Sequence, residues 1–171
     1  MEKTNIALIG FMGTGKTTIG QILANALKYQ FIDTDHYIEK IMNLSISEIF
    51  NQFGEDGFRI QETEILKEIL QKDHQVISTG GGLVVKKENC ELLLKNCFVV
   101  SLQATPQNIY FRIKDNKDRP LLNTAHPQRV IRQLLHKRYK YYKNCHLAIK
   151  TDEHNVSNIV KKIIEEYRRS F

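Results

Sequence analysis

The sequence contains little cysteine, proline or glycine, with 3, 3 and 9 residues of the respective types among 171. The three cysteines, Cys90, Cys97 and Cys145, are odd in number and match no zinc-ligand spacing, so reduced structural thiols are expected. No apolar run approaches the roughly 20 residues that a membrane span requires, and no signal-peptide pattern precedes the first apolar segment. These absences favour a cytoplasmic protein that has no membrane partner.

The charge balance is basic, with a formal net charge of +6, and charged residues make up 26% of the chain. Three interpretations fit this charge: a nucleic-acid surface, an anionic small substrate, or a merely solvated basic surface. No local basic run or base-stacking motif is present, so no nucleic-acid partner is expected. The length suits one domain, and we expect residues 1–171 to form it without a linker or an internal repeat.

Short apolar segments alternate along the chain with longer segments of helical periodicity. This alternation predicts an α/β fold in which a parallel sheet is covered by helices on both faces. Ligands bind to such sheets beyond the carboxyl ends of the strands, and each motif described below lies at such an end. The five predicted strands are residues 5–10, 30–35, 75–79, 97–102 and 146–151.

A glycine-rich motif follows the first predicted strand, where Gly10, Gly15, Lys16 and Thr17 fit the pattern G-x-x-x-x-G-K-[ST]. Glycines let backbone N–H groups approach phosphate oxygens, and the N-terminus of the following helix adds further donors. Lys16 supplies a point charge for the β- and γ-phosphates, and the Thr17 hydroxyl can ligate Mg²⁺. The position between a strand and a helix favours this P-loop interpretation over a glycine-rich turn that only connects two elements.

Two acidic residues, Asp33 and Asp35, flank Thr34 at the end of the second predicted strand. Residues two apart in an extended segment point the same way, which would direct both carboxylates at one place beside the P-loop. One carboxylate could then hold Mg²⁺ through water, and the other could accept a hydrogen bond from an attacking hydroxyl. Asp35 could equally cap the helix that follows, and the residues alone favour neither interpretation.

Arginines and a second glycine cluster occur farther along the chain. Arg59 and Glu62 are one helical turn apart and can form an ion pair, for which a surface salt bridge is the alternative. The segment STGGG at 78–82 ends an internal strand, and it either brings backbone close to a ligand or forms a tight turn. The further candidates, each able to bind a carboxylate or a phosphate through a planar fork, are Arg112, Arg119 and Arg138.

Taken together, these motifs resemble those of the shikimate kinase family. The matching segments run in that family's order over nearly the whole chain: GFMGTGKTT (10–18), FIDTD (31–35), SISEIF (45–50), GEDGFRIQE (54–62), STGGG (78–82), DRPLL (118–122), and Arg138 with Tyr142. The resemblance implies a three-layer α/β/α P-loop kinase fold with a five-stranded parallel sheet. It also implies an acceptor-binding segment at about 34–62 and a mobile lid at about 113–124.

The same resemblance implies roles for individual positions. ATP would be bound by Gly13, Thr14, Gly15, Lys16, Thr17, Thr18, Arg112 and Arg119, with Arg112 against the adenine and Arg119 in the lid near the phosphates. Shikimate would be bound by Asp35, Arg59, Gly80, Gly81, Gly82 and Arg138, the arginines taking its carboxylate and Asp35 its hydroxyls. Lys16, Asp35 and Arg119 would be catalytic, and Thr17 and Asp33 would serve the cofactor Mg²⁺.

The activity that the resemblance implies is ATP-dependent phosphorylation of shikimate at its 3-hydroxyl, which gives shikimate 3-phosphate and ADP in the shikimate pathway to aromatic amino acids. A monomer whose partners are small molecules is expected. The alternatives are another metabolite kinase, such as a gluconate kinase, and a nucleotide-binding regulator without turnover. The sequence departs from many family members at Lys140, Asn144 and His146-Leu147, and the adenine-side loop near 152–155 receives no assignment.

Overall fold

In the computed structural model, which describes residues 3–114 and 126–170, the centre of the fold is a sheet of five parallel strands. Their spatial order is β2-β3-β1-β4-β5, so β1 is central while β2 and β5 are the edges. Because all five strands are parallel, their carboxyl ends lie at one edge of the sheet. The strands are β1 (Asn5–Ile9), β2 (Gln30–Asp33), β3 (Gln75–Ser78), β4 (Cys97–Gln103) and β5 (Leu147–Lys150).

Helices connect the strands and complete the α/β architecture that the alternation of segments predicts. One short 3-10 helix, Leu83–Val85, lies between β3 and the helix that follows it. The α-helices of the described residues are α1 (Lys16–Leu27), α2 (Thr34–Met42), α3 (Ile46–Ile69), α4 (Lys87–Asn96), α5 (Pro106–Ile113), α6 (Pro127–Tyr142) and α7 (Val156–Ser170). The predicted five-stranded parallel sheet is thereby confirmed.

The core lies on both faces of the sheet, since every residue of β1 is buried and successive strand residues point to opposite faces. Ile9 belongs to an apolar cluster that includes Leu66 of α3. Leu8 belongs to a second cluster that includes Leu23 of α1 and Ile163 of α7. A strand buried on both faces needs a continuous apolar sequence, which is why the first strand could be predicted and why the fold has three layers.

The second strand ends two residues earlier than its sequence predicts. Asp33 is the last residue of β2, and α2 begins at Thr34 with Asp33 as its N-cap. Asp35 therefore lies in the first turn of a helix and not in an extended segment, so the prediction from strand alternation is wrong here. The alternative in which Asp35 caps the helix is also wrong, because the capping carboxylate is that of Asp33, which accepts from the free N–H groups of the first turn.

Residues 115–125 lie outside the described residues, and they include Arg119 and most of the expected lid at 113–124. The mobility of that segment and the position of Arg119 consequently stay predictions. Among the helices that the structure describes, none combines the length and the apolar composition needed to cross a lipid bilayer.

Candidate active site

Three segments of the chain meet at the carboxyl edge of the sheet, as the strand order requires. The P-loop follows β1, Asp33 ends β2, and the triple-glycine loop Gly80–Gly82 follows β3. Since β3 lies between β1 and β2, the triple-glycine loop lies between the other two segments. Gly81 packs against the P-loop directly: a Cβ atom added to it would lie 3.3 Å from the backbone nitrogen of Met12 and 3.6 Å from the carbonyl oxygen of Gly10.

The P-loop takes a conformation that needs glycine at particular positions. Gly13 and Gly15 have φ angles of 74° and 93°, in the left-handed region that side chains other than glycine rarely adopt. Gly15 is also the N-cap of α1, and no side chain caps this helix end among the described residues. The first-turn N–H groups of α1 are thus available to an anion, which the helix dipole also attracts.

Lys16 is buried and lies across the P-loop, where its Nζ atom donates to the carbonyl oxygens of Gly10 at 2.9 Å and Phe11 at 2.8 Å. The Thr14 hydroxyl donates to the same Phe11 carbonyl at 2.8 Å. These bonds hold the ammonium group at the mouth of the loop. A phosphate oxygen placed there would meet a charged donor that is already desolvated by the protein.

The Thr17 hydroxyl in the first turn of α1 donates to Oδ2 of Asp33 at 3.0 Å. The other carboxylate oxygen of Asp33 accepts from the backbone N–H groups of Asp35 at 3.2 Å and His36 at 3.4 Å. Asp33 therefore links α1 to α2 while it presents oxygen atoms beside the P-loop. A hydroxyl and a carboxylate are suitable ligands for Mg²⁺, which commonly takes one or two protein oxygens together with water and phosphate oxygens.

No cluster of three or more His, Cys, Asp or Glu side chains that could hold a metal ion occurs in the part of the chain that the structure describes. Mg²⁺ in phosphate-transfer sites is usually held by one or two protein oxygens together with substrate phosphates. The chemistry of the Thr17 and Asp33 oxygens thus suits the expected Mg²⁺.

Asp35 lies against the triple-glycine loop. A Cβ atom on Gly80 would overlap the Asp35 carboxylate in its present position, so the missing side chain lets the two residues approach closely. The backbone N–H of Gly80 donates to the buried Thr34 hydroxyl at 2.9 Å, and this bond attaches the loop to the start of α2. Thr34 is a site residue that the sequence interpretation missed, and its position between the two acids was the available signal.

Arg59 of α3 lies on the other side of this loop. Its Nη1 atom is 2.6 Å from Oε2 of Glu62, and a Cβ atom on Gly82 would lie 2.6 Å from the guanidinium nitrogens. The Glu62 side chain is only 1% exposed and that of Arg59 18%, so the surface salt bridge considered from the sequence is wrong. Burial raises the pKa of Glu62 to about 7, against the opposing charge of Arg59.

Arg138 of α6 also reaches this loop. Its Nη1 atom donates to the carbonyl oxygen of Gly81 at 3.4 Å, a long hydrogen bond, and its guanidinium carbon lies 5.9 Å from the centre of the Phe11 ring. Two guanidinium groups therefore converge on one glycine loop from two helices. Such a pair of planar forks is suited to a ligand carboxylate.

Arg112, near the end of α5, lies beside the P-loop away from Asp35. Its Nη1 atom donates to the Gly13 carbonyl at 3.2 Å and to the Thr151 hydroxyl at 3.0 Å, and its Nη2 atom contacts Asp152 at 3.2 Å. Asp152 also accepts from the backbone N–H of Thr105 at 2.6 Å. Partial burial acts to raise the pKa of Asp152, but these hydrogen bonds and the charge of Arg112 outweigh it and lower the pKa overall.

Asp152 was not predicted, although it follows the carboxyl end of β5, where ligand-facing residues are expected. The remaining predicted position, Thr18, is exposed in the first turn of α1. The described candidate residues consequently form one continuous edge. The P-loop and Arg112 form the expected nucleotide side of this edge, and Asp35, Arg59 and Arg138 form its expected acceptor side.

Comparison with known proteins identifies the family of this chain. A family model described as shikimate kinase matches residues 12–168. A shikimate kinase from Thermodesulfovibrio yellowstonii is 44% identical over 165 residues, which are 96% of this chain and 95% of that protein. The solved structure of a shikimate kinase from Acinetobacter baumannii in complex with shikimate is 37% identical with a TM-score of 0.90, and the match covers 95% of this chain and 91% of that chain.

A gluconokinase structure from Sinorhizobium meliloti is 14% identical with a TM-score of 0.61, over 98% of this chain and 93% of that chain. At this identity the likeness concerns the fold alone. The alternative of a gluconate kinase therefore has much weaker support than the family to which the motifs point.

Proposed function

The chain belongs to the shikimate kinase family, and we propose that it transfers the γ-phosphoryl group of ATP to the 3-hydroxyl of shikimate, giving shikimate 3-phosphate and ADP. The observation that carries this proposal is the contact between Gly81 and the P-loop backbone at Gly10 and Met12. It makes the phosphate-binding loop and the loop between the two arginines adjacent, so a donor and an acceptor bound there would be neighbours. Alignment of this kind supplies much of the rate of phosphoryl transfer.

On the nucleotide side, the P-loop residues Gly13–Thr18 would hold the phosphates with backbone N–H groups and the α1 dipole. The Lys16 ammonium would turn from its two carbonyl acceptors to the β- and γ-phosphate oxygens. Arg112, held beside the P-loop by Asp152, would stack against the adenine, since guanidinium planes stack well on aromatic rings. Arg119, which lies outside the described residues, would approach the phosphates from the lid.

We infer that Thr17 and Asp33 would serve Mg²⁺, the Thr17 hydroxyl as a direct ligand and the Asp33 carboxylate through water. When bound, this ion supplies positive charge that neutralises the phosphate oxygens. The hydrogen bond of 3.0 Å between the two side chains supports the assignment, because it places both oxygens at the same end of α1.

On the acceptor side, Arg59 and Arg138 would bind the shikimate carboxylate through charge-assisted hydrogen bonds. The backbone of Gly80–Gly82 would line the space between them. Asp35 would accept a hydrogen bond from the 3-hydroxyl, orient its oxygen toward the γ-phosphorus, and take its proton late in the transfer. A loose transition state makes little demand on the strength of this base, so an ordinary carboxylate suffices.

The proposal also includes a cytoplasmic monomer whose ligands are small molecules. Light scattering combined with size-exclusion chromatography would test the monomer, and a mass near 40 kDa would contradict it, since one chain has a mass of 19.9 kDa.

A coupled ADP-release assay tests the activity, with shikimate, quinate and gluconate compared side by side. We expect turnover with shikimate to exceed that with the other two acids in kcat/KM. A higher kcat/KM with gluconate would identify gluconate and not shikimate as the acceptor. Binding of ATP and shikimate without ADP release would indicate a regulator and not an enzyme. Quinate is the sharper comparison, because it also presents a carboxylate and ring hydroxyls.

A further inference from the structure

Tyr142, the last residue of α6, makes a contact that the proposed function does not use. Its side chain is buried, with 4% of its surface exposed, and its hydroxyl donates to the carbonyl oxygen of Gly81 at 2.6 Å. Burial raises the pKa of this hydroxyl to about 12, although the nearby Arg138 charge opposes the rise. Tyr142 therefore remains a protonated hydrogen-bond donor at any pH near neutrality.

The Gly81 carbonyl has a second donor on the same helix. Arg138, four residues before Tyr142, donates to this oxygen at 3.4 Å, which is long compared with the 2.6 Å of the tyrosine bond. The bond lengths indicate that Tyr142 is the principal partner of the carbonyl and Arg138 a weaker one. Arg138 can consequently leave this oxygen without stranding an unpaired carbonyl, because the tyrosine bond remains.

Gly81 also lies against the P-loop. The position of an added Cβ lies 3.3 Å from the Met12 nitrogen and 3.6 Å from the Gly10 carbonyl oxygen, so there is little room for the glycine to shift. Tyr142 thus holds a residue at which the nucleotide side and the acceptor side touch. The helix that carries Tyr142 also carries Arg138, so this bond fixes the end of α6 next to the acceptor arginine.

We propose that Tyr142 is a positioning residue for the acceptor, whose hydroxyl fixes the Gly81 peptide and leaves Arg138 available to the acceptor carboxylate. This inference rests on the proposed function, in which Arg138 binds that carboxylate. Without the hydroxyl, the Gly81 oxygen would depend on Arg138 for its hydrogen bond. The acceptor would then compete with the protein for the guanidinium, and its binding would weaken more than its turnover.

The test is Tyr142→Phe, which keeps the ring and its packing and removes only the hydroxyl. The loss of one ordinary hydrogen bond leaves most of a typical folding free energy in place, so the variant is expected to fold. We expect its KM for shikimate to rise about three- to tenfold, with kcat within about twofold and the KM for ATP unchanged.

The matched control is Tyr167→Phe, because the Tyr167 hydroxyl also donates to a backbone carbonyl, that of Lys3, at 2.9 Å. Tyr167 belongs to α7, in the helical layer on the other side of the sheet from the acceptor arginines. Both variants lose a hydroxyl-to-carbonyl bond, so similar decreases in melting temperature are expected. Only the variant at Tyr142 should change the KM for shikimate.

A double-mutant cycle with Arg138→Lys shows whether the tyrosine acts through the arginine. We expect Tyr142→Phe to weaken shikimate binding, measured by isothermal titration, less in the Arg138→Lys background than in the wild type. An unchanged KM for shikimate in Tyr142→Phe, with a melting temperature lowered as in Tyr167→Phe, would overturn the inference. Failure of the wild-type protein to phosphorylate shikimate would instead contradict the proposed function, so the two failures are distinguishable.

Discussion

The Nη1 atom of Arg59 lies 2.6 Å from Oε2 of Glu62, and this carboxylate is almost entirely removed from solvent. A buried ion pair contributes little net stability, because desolvation of both groups offsets their attraction. Its clearer effect here is orientation, since the guanidinium is fixed against Gly82 beside the proposed acceptor site. Glu55 also contacts Arg59, but its side chain is 68% exposed and fixes the guanidinium far less.

The burial of Glu62 predicts a pH-dependent contribution to stability. Because its native pKa of about 7 exceeds the ordinary 4.5, the native state holds this proton more tightly than the unfolded chain does. The resulting stabilisation is complete below pH 4.5 and is lost as pH rises through about 7. Glu62→Gln cannot titrate at this position and does not undergo this loss. The free energy of unfolding of the variant minus that of wild type should therefore increase between pH 5 and pH 8, by up to about 3 kcal/mol.

Urea denaturation of both proteins at several pH values measures this difference. Other titrating groups are common to the two proteins and cancel in the comparison. A stability difference that is constant from pH 5 to pH 8 would show that folding does not raise the pKa of Glu62.

Arg59→Lys should reduce activity more than the conserved charge suggests. Lysine lacks the planar fork that can contact Glu62 and a substrate carboxylate together. Losing one charge-assisted bond costs about 1.5–3 kcal/mol, so kcat/KM for shikimate should fall roughly ten- to a hundredfold. Arg169→Lys is the matched control, since Arg169 pairs with Glu166 at 3.0 Å on an exposed face of α7. Equal kcat/KM for Arg59→Lys and wild type would remove Arg59 from the acceptor site.

Asp152→Asn should weaken ATP binding selectively. The neutral amide holds Arg112 less firmly, so the guanidinium would spend less time beside Gly13, where the adenine is proposed to stack. The pair is partly exposed, with Arg112 at 38%, which moderates the effect. We expect the KM for ATP to rise about three- to tenfold and the KM for shikimate to stay unchanged. Steady-state kinetics with each substrate varied in turn gives both constants.

The neighbouring Glu153→Gln variant serves as the control for Asp152. Glu153 pairs with Lys150 at 3.1 Å, and both side chains are exposed, so its substitution removes a comparable charge without touching Arg112. If the two variants have the same KM for ATP, Asp152 does not position Arg112 for the nucleotide.

Features encoded within one segment of the sequence could be predicted. The P-loop is recognisable because its glycines, Lys16 and Thr17 are adjacent in the chain and stand between a buried strand and a helix. The parallel sheet follows from apolar runs that must be covered on both faces. The end of β2 was mispredicted because two local signals compete at Asp33, strand propensity before it and N-capping after it.

Contacts between residues far apart in the chain could not be predicted from local patterns. Gly81 and Tyr142 are separated by 61 positions, and Arg112 and Asp152 by 40, so only the packed fold brings each pair together. The burial of Glu62 also depends on contacts that local patterns do not reveal. Its spacing from Arg59 permits an ion pair, but whether that pair is exposed depends on where α3 meets the triple-glycine loop.

The paired acids Asp33 and Asp35 should respond differently to conversion to asparagine, because the structure gives them different positions. Asp33 caps α2 and contacts Thr17, whereas Asp35 lies in the first helical turn against Gly80. Asparagine caps helices about as well as aspartate, so Asp33→Asn should fold normally and require more Mg²⁺. Raising the Mg²⁺ concentration should then restore part of its activity.

Asp35→Asn should lower kcat about a hundredfold at saturating ATP and Mg²⁺, near the low end for a lost general base, because a loose transition state needs little proton transfer. Extra metal should not restore this activity, since Asp35 is assigned to the acceptor hydroxyl. Its melting temperature should stay close to that of wild type, because Asp35 is not the cap.

Asp33→Ala, which does remove the cap, should cost about 1 kcal/mol of folding stability and provides the stability reference. Measuring melting temperature and kcat on the same preparations separates the roles, and a destabilised but fully active Asp35→Asn enzyme would refute the catalytic assignment.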